Sequence, residues 1–323
     1  MSRFSMIAAV GFVTLALAGA AEAQVVSMAT GAQGSLAYNS GQAVAVVANN
    51  NGITVRTQPL VGYMPILQSG EVDFGYVNGA EAAFAYTGSG NFDRAHPNVR
   101  LVGKMFDLTT GIMAPCDLGL KSVNDLAGRA GELRIASEYT SSTIIPYYIA
   151  GTLATAGLGY DDFRQVPVSS FVDGINALGD GLVDIALVSL NAGAGQEAAV
   201  KLKDRGGLCY ISMNDGADAE KALADVLPSG IIAALPQNEN INGLQNWGAN
   251  IIRVPWMLLT NADVDEQLVY DLVKVIHQNQ EALGASFGAF KRADFSAMAP
   301  DNAMPYHPGA VRYFEEAGVP VGK

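Results

Sequence analysis

A short motif occurs twice in the chain, at matching points of a longer pattern. Residues 70–77 (GEVDFGYV) and 181–188 (GLVDIALV) share Gly, Val, Asp and Val at identical spacing. Around each copy, short β-rich runs alternate with helical segments, an order that is typical of α/β units. The repeat therefore predicts two similar α/β lobes with largely parallel sheets.

The order of the elements follows the repeat. In the first half the pattern predicts strands at 25–30, 52–58, 71–77, 99–106 and 109–115, and helices at 35–48, 64–69 and 81–86. In the second half it predicts a capped turn at 122–126, strands at 133–137, 164–168, 183–189 and 208–213, and helices at 142–156 and 171–179. Each half thus contains enough alternating elements for one lobe.

The last part of the chain predicts a return to the first lobe. A loop-rich segment at 238–250 leads to a strand at 251–260 and a long helix at 264–283, which starts on a capping-box-like pair, Asp263 and Glu266. We assign this helix to the first lobe. Its apolar residues recur at helical spacing, which is typical of core packing rather than of a partner surface, and are Leu268, Val269, Leu272, Val273 and Ile276.

The lobe boundaries follow from this order. About 300 residues, half of them hydrophobic, suffice for two cored lobes near the common domain size. We predict that lobe 1 comprises 24–113 and 214–323 and that lobe 2 comprises 114–213. The hinge between them would include the strand at 109–115 and the return near 212–215.

The first residues have the features of a secretory signal peptide. Arg3 supplies a positive start, residues 6–18 form an apolar run, and Ala21-Glu22-Ala23 is a small-x-small cleavage site. We predict a signal peptide at 1–23 and an exported mature chain that starts at Gln24. An uncleaved membrane anchor is the alternative, but the run is shorter than the ~20 residues that span a bilayer.

The charge of the chain limits its partners. The net charge is −12, and removal of the signal peptide with Arg3 and Glu22 leaves it unchanged. Nucleic acid is therefore not an expected partner, because phosphate binding needs a basic face. A small anion can still be bound where helix N-termini and backbone N–H groups converge in a cleft.

The two cysteines, Cys116 and Cys209, leave two alternatives open. In an oxidising compartment they can form a disulfide, whereas their separation in sequence says nothing about the geometry of their Cβ atoms. The alternative is that both cysteines are buried free thiols.

Few residues in the chain are typical of catalysis. His96, His277 and His307 are the only histidines, and none belongs to a nucleophile elbow or a metal-binding spacing. We therefore expect a binding protein rather than an enzyme, with no cofactor and no metal.

Two strand-to-helix turns are the best candidates for a ligand site. Residues 29–35 (ATGAQGS) hold two glycines and two hydroxyls, and residues 137–143 (SEYTSST) hold several hydroxyls, at points where a helix N-terminus can bind a carboxylate. Ser and Thr at such points also serve as simple caps, which is the alternative. The candidate ligand residues in these turns are Thr30, Gly31, Gly34, Ser35, Tyr139, Thr140, Ser141, Ser142 and Thr143.

Other strand ends would complete the cleft, because open α/β sheets bind ligands at the carboxyl ends of their strands. The polar candidates there are Asn78, Ser170, Ser189 and Asn191, each of which could instead be an ordinary turn residue. The aromatic candidates for an apolar wall are Tyr38, Tyr63, Tyr139, Phe171 and Trp256, which could instead belong to the core.

Four stretches carry a family pattern: 29–31 (ATG) with Gly34, Tyr38 and Gly41, 67–75 (LQSGEVDFG), 119–128 (GLKSVNDLAG) and 307–318 (HPGAVRYFEEAG). Together they resemble the TAXI class of substrate-binding proteins of tripartite ATP-independent periplasmic (TRAP) transporters. The resemblance covers nearly the whole mature chain. It implies a periplasmic protein with the two-lobed type II binding-protein fold, a ligand in the cleft between lobes, and delivery to TRAP membrane permease subunits.

The resemblance also implies the kind of ligand. The family binds glutamate-like amino acids and dicarboxylates, so we expect a small anionic organic ligand. This chain departs from the family pattern, with Tyr63 where Asn is common, Ala80 where an acidic residue is frequent and Tyr139 where Gly is usual. The added bulk makes an aromatic or apolar carboxylate a further candidate.

Two other functions are compatible with the sequence. One is a periplasmic sensor that presents its ligand to a receptor kinase, and the other is an enzyme on the same scaffold, because fold does not fix function. Lobe closure needs no second chain, and we therefore expect a monomer.

Overall fold

The computed structural model describes residues 25–31, 33, 35–190 and 192–322. The predicted signal peptide at 1–23 and the candidate ligand residues Gly34 and Asn191 lie outside these ranges. Within the described part of the chain, no helix combines the length and apolar character that crossing a bilayer requires.

The chain alternates between strands and helices throughout. Its first part contains β1 (Val25–Ala29), α1 (Leu36–Asn50), β2 (Thr54–Gln58), α2 (Met64–Ser69), β3 (Phe74–Asn78), α3 (Gly79–Thr87) and β4 (Val99–Pro115). The middle contains β5 (Arg134–Glu138), α4 (Ile145–Ala154), β6 (Arg164–Val168), α5 (Phe171–Gly179), β7 (Ala186–Ser189), α6 (Gly193–Lys201) and β8 (Leu208–Tyr210). The last part contains α7 (Ala217–Val226), β9 (Ile231–Leu235), β10 (Ala249–Asn261), α8 (Glu266–Gln278), α9 (Gln280–Ser286) and α10 (Pro308–Ala317).

The main sheet is mixed, and the expectation of largely parallel sheets is wrong for it. Its strand order is β2-β1-β3-β10-β4-β7, with β9 on β10 and β8 on β4. β1 is parallel to β2 and β3, but β10 is antiparallel to β3, β4 and β9, and β4 is antiparallel to β7 and β8. β5 and β6 form a separate parallel pair. The returning strand β10 accounts for the antiparallel pairs with β3, β4 and β9, since it enters the sheet between β3 and β4, and β4 itself runs antiparallel to β7 and β8.

β4 is one strand of 17 residues where two strands were predicted. The polar residue Asp107 lies between the two predicted runs, but it stays in the sheet opposite Pro255 of β10. Its carboxylate lies 3.5 Å from the Lys104 ammonium and 3.8 Å from Arg253. An ion-paired side chain therefore lies where the sequence predicts a break between two strands.

The molecule is a two-lobed α/β structure with separate hydrophobic cores. One lobe packs α1, α8 and α10 against the sheet, with Val44, Val273 and Phe314 among the buried side chains. The other lobe packs α4 and α5, with Ile149 and Ile175 in its core. β4 and β10 contribute residues to both cores, and they connect the lobes.

The segment after residue 213 packs with the second lobe. Leu223 and Leu227 of α7 are buried in the same core as Ile149, and a Cβ on Gly151 of α4 would lie 2.9 Å from Leu223. This packing favours a return to the first lobe within β10, later than the predicted return near 212–215. The lobe boundaries themselves stay a prediction.

The repeated motif performs the same task in each lobe. The Asp73 carboxylate accepts hydrogen bonds from the backbone N–H and hydroxyl of Ser27 in β1, at 2.7 and 2.8 Å. The Asp184 carboxylate accepts from the backbone N–H and the guanidinium of Arg134 in β5, at 2.8 to 3.0 Å. In both copies the Asp thus anchors the first strand of its lobe.

The other shared positions of the motif are equivalent as well. Gly70 and Gly181 both take positive φ values, 76° and 70°, where the chain turns out of a helix, a conformation that favours glycine. Val72 and Val183 are both buried. The sequence repeat therefore reflects a repeated helix–turn–strand unit.

The predicted helix at 264–283 is two helices. α8 ends at Gln278, and the Asn279 side chain donates to the carbonyl oxygen of Val275, which ends the helix before α9 begins. The N-cap is Asp265, which accepts from the backbone N–H of Leu268, and not the predicted pair of Asp263 and Glu266. The predicted apolar face of this helix is buried in the first lobe.

Cys116 and Cys209 form a disulfide, with their Cα atoms 5.1 Å apart. Cys116 follows β4 directly and Cys209 lies in β8, which pairs with the end of β4. The pairing of these strands brings together two residues that are 93 positions apart. Of the two alternatives that the sequence leaves open, the structure therefore contains the disulfide.

We expect reduction of this disulfide to lower the free energy of unfolding by about 2–4 kcal/mol, because it closes a long loop. Urea unfolding with and without dithiothreitol measures the effect. The double variant Cys116→Ala/Cys209→Ala should resemble the reduced protein and should not respond to reductant. An equal response of the wild type and the double variant would contradict the expectation.

Asp73→Ala and Asp184→Ala should each lower the free energy of unfolding by about 1–3 kcal/mol, since each leaves a strand donor without its acceptor. Asp180→Ala is the matched control, because its ion pair with Lys201 is half-exposed and such pairs contribute about 0–1 kcal/mol. Chemical unfolding of the three variants tests this, and equal losses in all three would contradict it.

Candidate functional site

In the first predicted turn, the hydroxyls of Thr30 and Ser35 form hydrogen bonds within their own lobe. Thr30 is buried, and its N–H and hydroxyl both donate to the carbonyl oxygen of Gln58, at 2.9 and 3.2 Å. Ser35 caps α1 by accepting from the N–H of Tyr38, at 3.1 Å. Gly31 has a φ of 66°. The free N–H groups at the start of α1 are therefore what this turn offers to a ligand.

The second predicted turn has an unusual backbone. Glu138 and Tyr139 both have positive φ values, 63° and 49°, which are uncommon for residues other than glycine. The N–H and hydroxyl of Ser141 both donate to the carbonyl oxygen of Ser169, at 2.8 Å. α4 begins only at Ile145, later than predicted, so residues 140–143 form an open loop. The side chains of Thr140, Ser141 and Thr143 are exposed, and that of Ser142 is partly exposed.

Tyr63 and Tyr139 lie in the cores rather than in an open slot. The Tyr139 ring packs beneath α5, where a Cβ on Gly174 would lie 2.7 Å from its hydroxyl oxygen, and burial raises its pKa. The Tyr63 ring packs on Gly75, and its hydroxyl accepts from the N–H of Tyr76 and donates to the carbonyl of the same residue. The bulk that we expected these rings to add to the cleft is therefore in the interior.

The remaining predicted residues divide between core and turns. Trp256 is buried, stacks on Tyr76 and donates to the hydroxyl of Ser40, at 3.2 Å. Ser170 caps α5 by accepting from the N–H of Asp173, at 3.2 Å, and the hydroxyl of Ser189 donates to that of Thr110, at 3.3 Å. The side chains of Tyr38 and Phe171 are partly exposed.

The two lobes meet at a carboxylate that the sequence analysis does not single out. Asn78 caps α3, accepts from the N–H of Glu81 at 2.9 Å and donates from its amide to the Glu81 carboxylate at 2.6 Å. The amide of Asn91 donates to the other carboxylate oxygen at 3.4 Å, and also to the hydroxyl of Thr143 in the second lobe at 3.2 Å. Asn78 and Thr143 are thus the two predicted residues that this cluster brings together.

Glu81 is partly buried, and this changes the protonation behaviour of its carboxyl group. Removal of water around Glu81 raises its pKa to about 7, although the amide hydrogen bonds from Asn91 and Asn78 act in the opposite direction. The sequence does carry a signal for the local contact, since Asn followed three residues later by Glu is typical of a helix N-terminus. The contact with the second lobe has no such signal.

An apolar contact accompanies this polar one. The rings of Phe84 in α3 and Tyr147 in α4 lie 5.1 Å apart, and Ala80 is buried with Ile145 and Tyr148 in the core of the second lobe. α3 of the first lobe thus packs directly on the N-terminal part of α4. The Asn302 amide also bridges the lobes, from the carbonyl of Gly79 to the hydroxyl of Ser229, at 2.8 and 3.1 Å.

Comparison with known proteins gives a family for this chain. A family model described as the NMT1-like family matches residues 28–318. The chain belongs to the NMT1-like family.

Solved structures share the fold of this NMT1-like protein at low sequence identity. A structure titled as a periplasmic transporter is 10% identical, with 93% of this chain and 94% of that chain covered and a TM-score of 0.53. The binding protein component of an ABC phosphonate transporter from Pseudomonas aeruginosa is 12% identical, with 84% and 80% covered and a TM-score of 0.52. A TctC solute binding protein from Polaromonas is 14% identical, with 91% and 96% covered and a TM-score of 0.50. Likeness at this level is evidence for the two-lobed periplasmic-binding-protein fold alone.

The three histidines of this NMT1-like protein have structural partners. The His307 ring accepts from the N–H of Gly309 to cap α10, and its other nitrogen lies 3.1 Å from the carbonyl of Val264. His277 bonds the hydroxyl of Tyr313 at 2.9 Å, and His96 lies 3.3 Å from the carbonyl of Ala85. The described residues contain no cluster of His, Cys, Asp or Glu with the geometry of a metal site.

A surface cavity of about 440 Å³ lies away from the contact between the lobes. It is lined by residues of the first lobe, including His277, Phe295 and Val319, and by none of the predicted ligand residues. It is therefore not the candidate site.

The raised pKa of Glu81 predicts how stability changes with pH. An acid whose folded-state pKa is raised stabilises the fold below its unfolded value near 4.5, and this contribution is lost as the pH rises through about 7. We expect the wild type to lose on the order of 1 kcal/mol relative to Glu81→Gln between pH 5 and pH 8. Thermal or urea unfolding across this range measures the difference.

Glu132→Gln is the control for this experiment, because Glu132 is exposed and should give the wild-type profile. A wild type that gains stability relative to Glu81→Gln as the pH rises would contradict the expectation.

Proposed function

We propose that this protein is a periplasmic solute-binding protein that closes its lobes around a small organic carboxylate. The observation that carries the proposal is the meeting of two helix N-termini from different lobes. The first turn of α3 and the loop before α4 are joined there by the Asn91 amide. Polar groups from both lobes at the carboxyl ends of strands are what a cleft-binding protein needs.

The fold supports the same proposal. The solved structures that share it are titled as a binding protein component of a phosphonate transporter and as a TctC solute binding protein. The features of a signal peptide at 1–23 support export to the periplasm. With its histidines engaged in structural contacts, the protein is proposed to bind its ligand without chemical turnover.

The proposed mechanism is closure about the two strands that join the lobes. A ligand that contacts both lobes has its full set of contacts only in the closed state, and its binding therefore shifts the equilibrium towards closure. The N–H groups at the start of α1 and α5 and the loop at 140–143 would hold its carboxylate. β4 and β10 would bend between the two cores.

We propose TRAP membrane permease subunits as the partner, with the protein acting as a monomer. The support is the resemblance of four stretches to the TAXI class, of which 307–318 and 119–128 are the longest. Delivery requires that the closed form expose a surface of both lobes to the membrane subunits.

Thr143→Ala should weaken ligand binding about 3–10-fold, because it removes a hydrogen bond between the lobes that is worth about 1 kcal/mol. Thr87→Ala is the matched control, since this exposed residue lies at the far end of α3 and bonds only within its own lobe. Native mass spectrometry of undenatured protein identifies the ligand, and isothermal titration measures its affinity for both variants.

Small-angle scattering adds a test of closure, with a smaller radius of gyration expected in the presence of ligand. A protein that carries no small molecule and binds none from a broad panel of carboxylates would overturn the proposed function. Turnover of a bound compound would favour an enzyme instead.

A further inference from the structure

Two adjacent residues at the end of β5 have an unfavourable backbone conformation. Glu138 and Tyr139 take φ values of 63° and 49°, and in the described part of the chain Ser229 is the third residue other than glycine with a positive φ. The Glu138 side chain is exposed, and the ion pairs among the described residues do not include it. The strain is therefore offset by what this backbone does for its neighbours.

The conformation directs the ring of Tyr139 beneath α5. The Tyr139 side chain is fully buried. A Cβ on Gly174, in the first turn of α5, would lie 2.7 Å from the Tyr139 hydroxyl oxygen and 2.8 Å from its Cε1 atom. Any larger residue at this point would overlap with the ring, so the start of α5 rests directly on Tyr139.

A second contact joins the residues after Tyr139 to the start of the same helix. The N–H and hydroxyl of Ser141 both donate to the carbonyl oxygen of Ser169, each at 2.8 Å. Ser169 directly precedes Ser170, which is the N-cap of α5. The loop at 140–143 is thus attached to the start of α5 twice, through the ring before it and through Ser141 within it.

The loop that is attached in this way offers backbone donors. The N–H of Ser142 donates to the carbonyl oxygen of Tyr139 at 2.7 Å, which closes a turn. Within the part of the chain that the structure describes, the N–H groups of Thr140, Thr143 and Ile144 have no acceptor. Free backbone N–H groups in a turn can hold a carboxylate.

Filling of the core explains the ring of Tyr139 but not its backbone. An aromatic side chain can reach this core without a positive φ, as Tyr148 does from α4. Strain in two consecutive residues beside a candidate ligand loop indicates a function for the conformation. What the conformation determines is the direction in which the chain leaves β5, and with it the place of the loop at the start of α5.

We infer that Tyr139 is a positioning residue, whose ring under Gly174 holds the loop at 140–143 against the start of α5. The inference rests on the proposed function, because it names what aligns the N–H groups that are proposed to hold the ligand carboxylate. Rigid placement of such donors before the ligand arrives lowers the entropic cost of binding.

Isothermal titration of ring variants tests this inference. The probe is whichever of L-glutamate, succinate and 3-phenylpropionate binds the wild type most tightly. Tyr139→Phe keeps the ring and should bind the probe within about 3-fold of the wild type. Tyr139→Leu remains apolar but cannot support α5 at Gly174, and its affinity should fall about 10-fold or more.

Leu178→Ala is the control for the loss of core packing. Leu178 is fully buried in the same core, at the opposite end of α5 from Ser170. Its truncation should lower the melting temperature at least as much as Tyr139→Leu, whereas the affinity for the probe should change less than about 3-fold. All titrations are performed well below the melting temperature of each variant. A loss of affinity in Tyr139→Leu that is no greater than in Leu178→Ala would overturn the inference.

A second pair of variants changes the backbone and leaves the core intact, since the Glu138 side chain is exposed. Glu138→Gly accepts a positive φ without strain, so its affinity should stay within about 3-fold of the wild type and its melting temperature should not fall. Glu138→Val is β-branched and resists this conformation, so its affinity should fall about 10-fold or more. Equal affinities of these two variants contradict the inference, even if Tyr139→Leu does not fold.

The remaining outcomes separate this inference from the proposed function. If the wild type binds a probe and Tyr139→Leu binds it equally well, the proposed function stands and the role of Tyr139 is overturned. If no probe binds, the carboxylate that native mass spectrometry finds on the purified protein becomes the probe for the same variants. A protein that carries no carboxylate and binds none overturns both.

Discussion

The pairing of β4 with β10 is the interaction on which the rest of the structure depends. These two long antiparallel strands contribute side chains to both cores. In the main sheet, β3 and β9 pair with β10, β7 and β8 pair with β4, and β1 and β2 follow beyond β3. Their pairing shifts register next to Met257, and Asp107 binds Lys104 and Arg253 beside this irregularity. The α3 helix follows β3 directly, so the position of the Glu81 cluster is set by this pairing.

Local signals explain what the sequence predicts well. Ser35, Asn78 and Ser170 each cap the helix that they precede, because a short side chain with an oxygen atom satisfies a free N–H group there. The Gly-x-Val-Asp repeat predicts two similar units for an equally local reason. Where the prediction is wrong, distant residues decide. The break predicted between the strands at 99–106 and 109–115 is absent because Asp107 lies opposite Pro255 of β10. The sheet is mixed because β10 returns between β3 and β4 and because β4 runs antiparallel to β7 and β8.

In the candidate site, too, local features could be predicted from the sequence and long-range contacts could not. Hydroxyls at strand ends are easy to find in a sequence, but Thr30 and Ser35 turn out to be engaged within their own lobe. The bulk of Tyr139 suggests a ligand wall, whereas its left-handed backbone turns the ring into the core under Gly174. Glu81 escapes detection because its significance comes from burial and from Asn91, which no spacing in the sequence connects to Thr143.

The proposed carboxylate ligand is compatible with the net charge of −12. Helix N-termini supply positive potential without basic side chains, and Glu81 supplies a negative site at the contact between the lobes. The Asn91 amide donates one hydrogen bond to Glu81 and another to Thr143, so it links the first turn of α3 to the loop before α4. Opening of the proposed cleft would break the bond to Thr143, whereas the bond to Glu81 lies within one lobe.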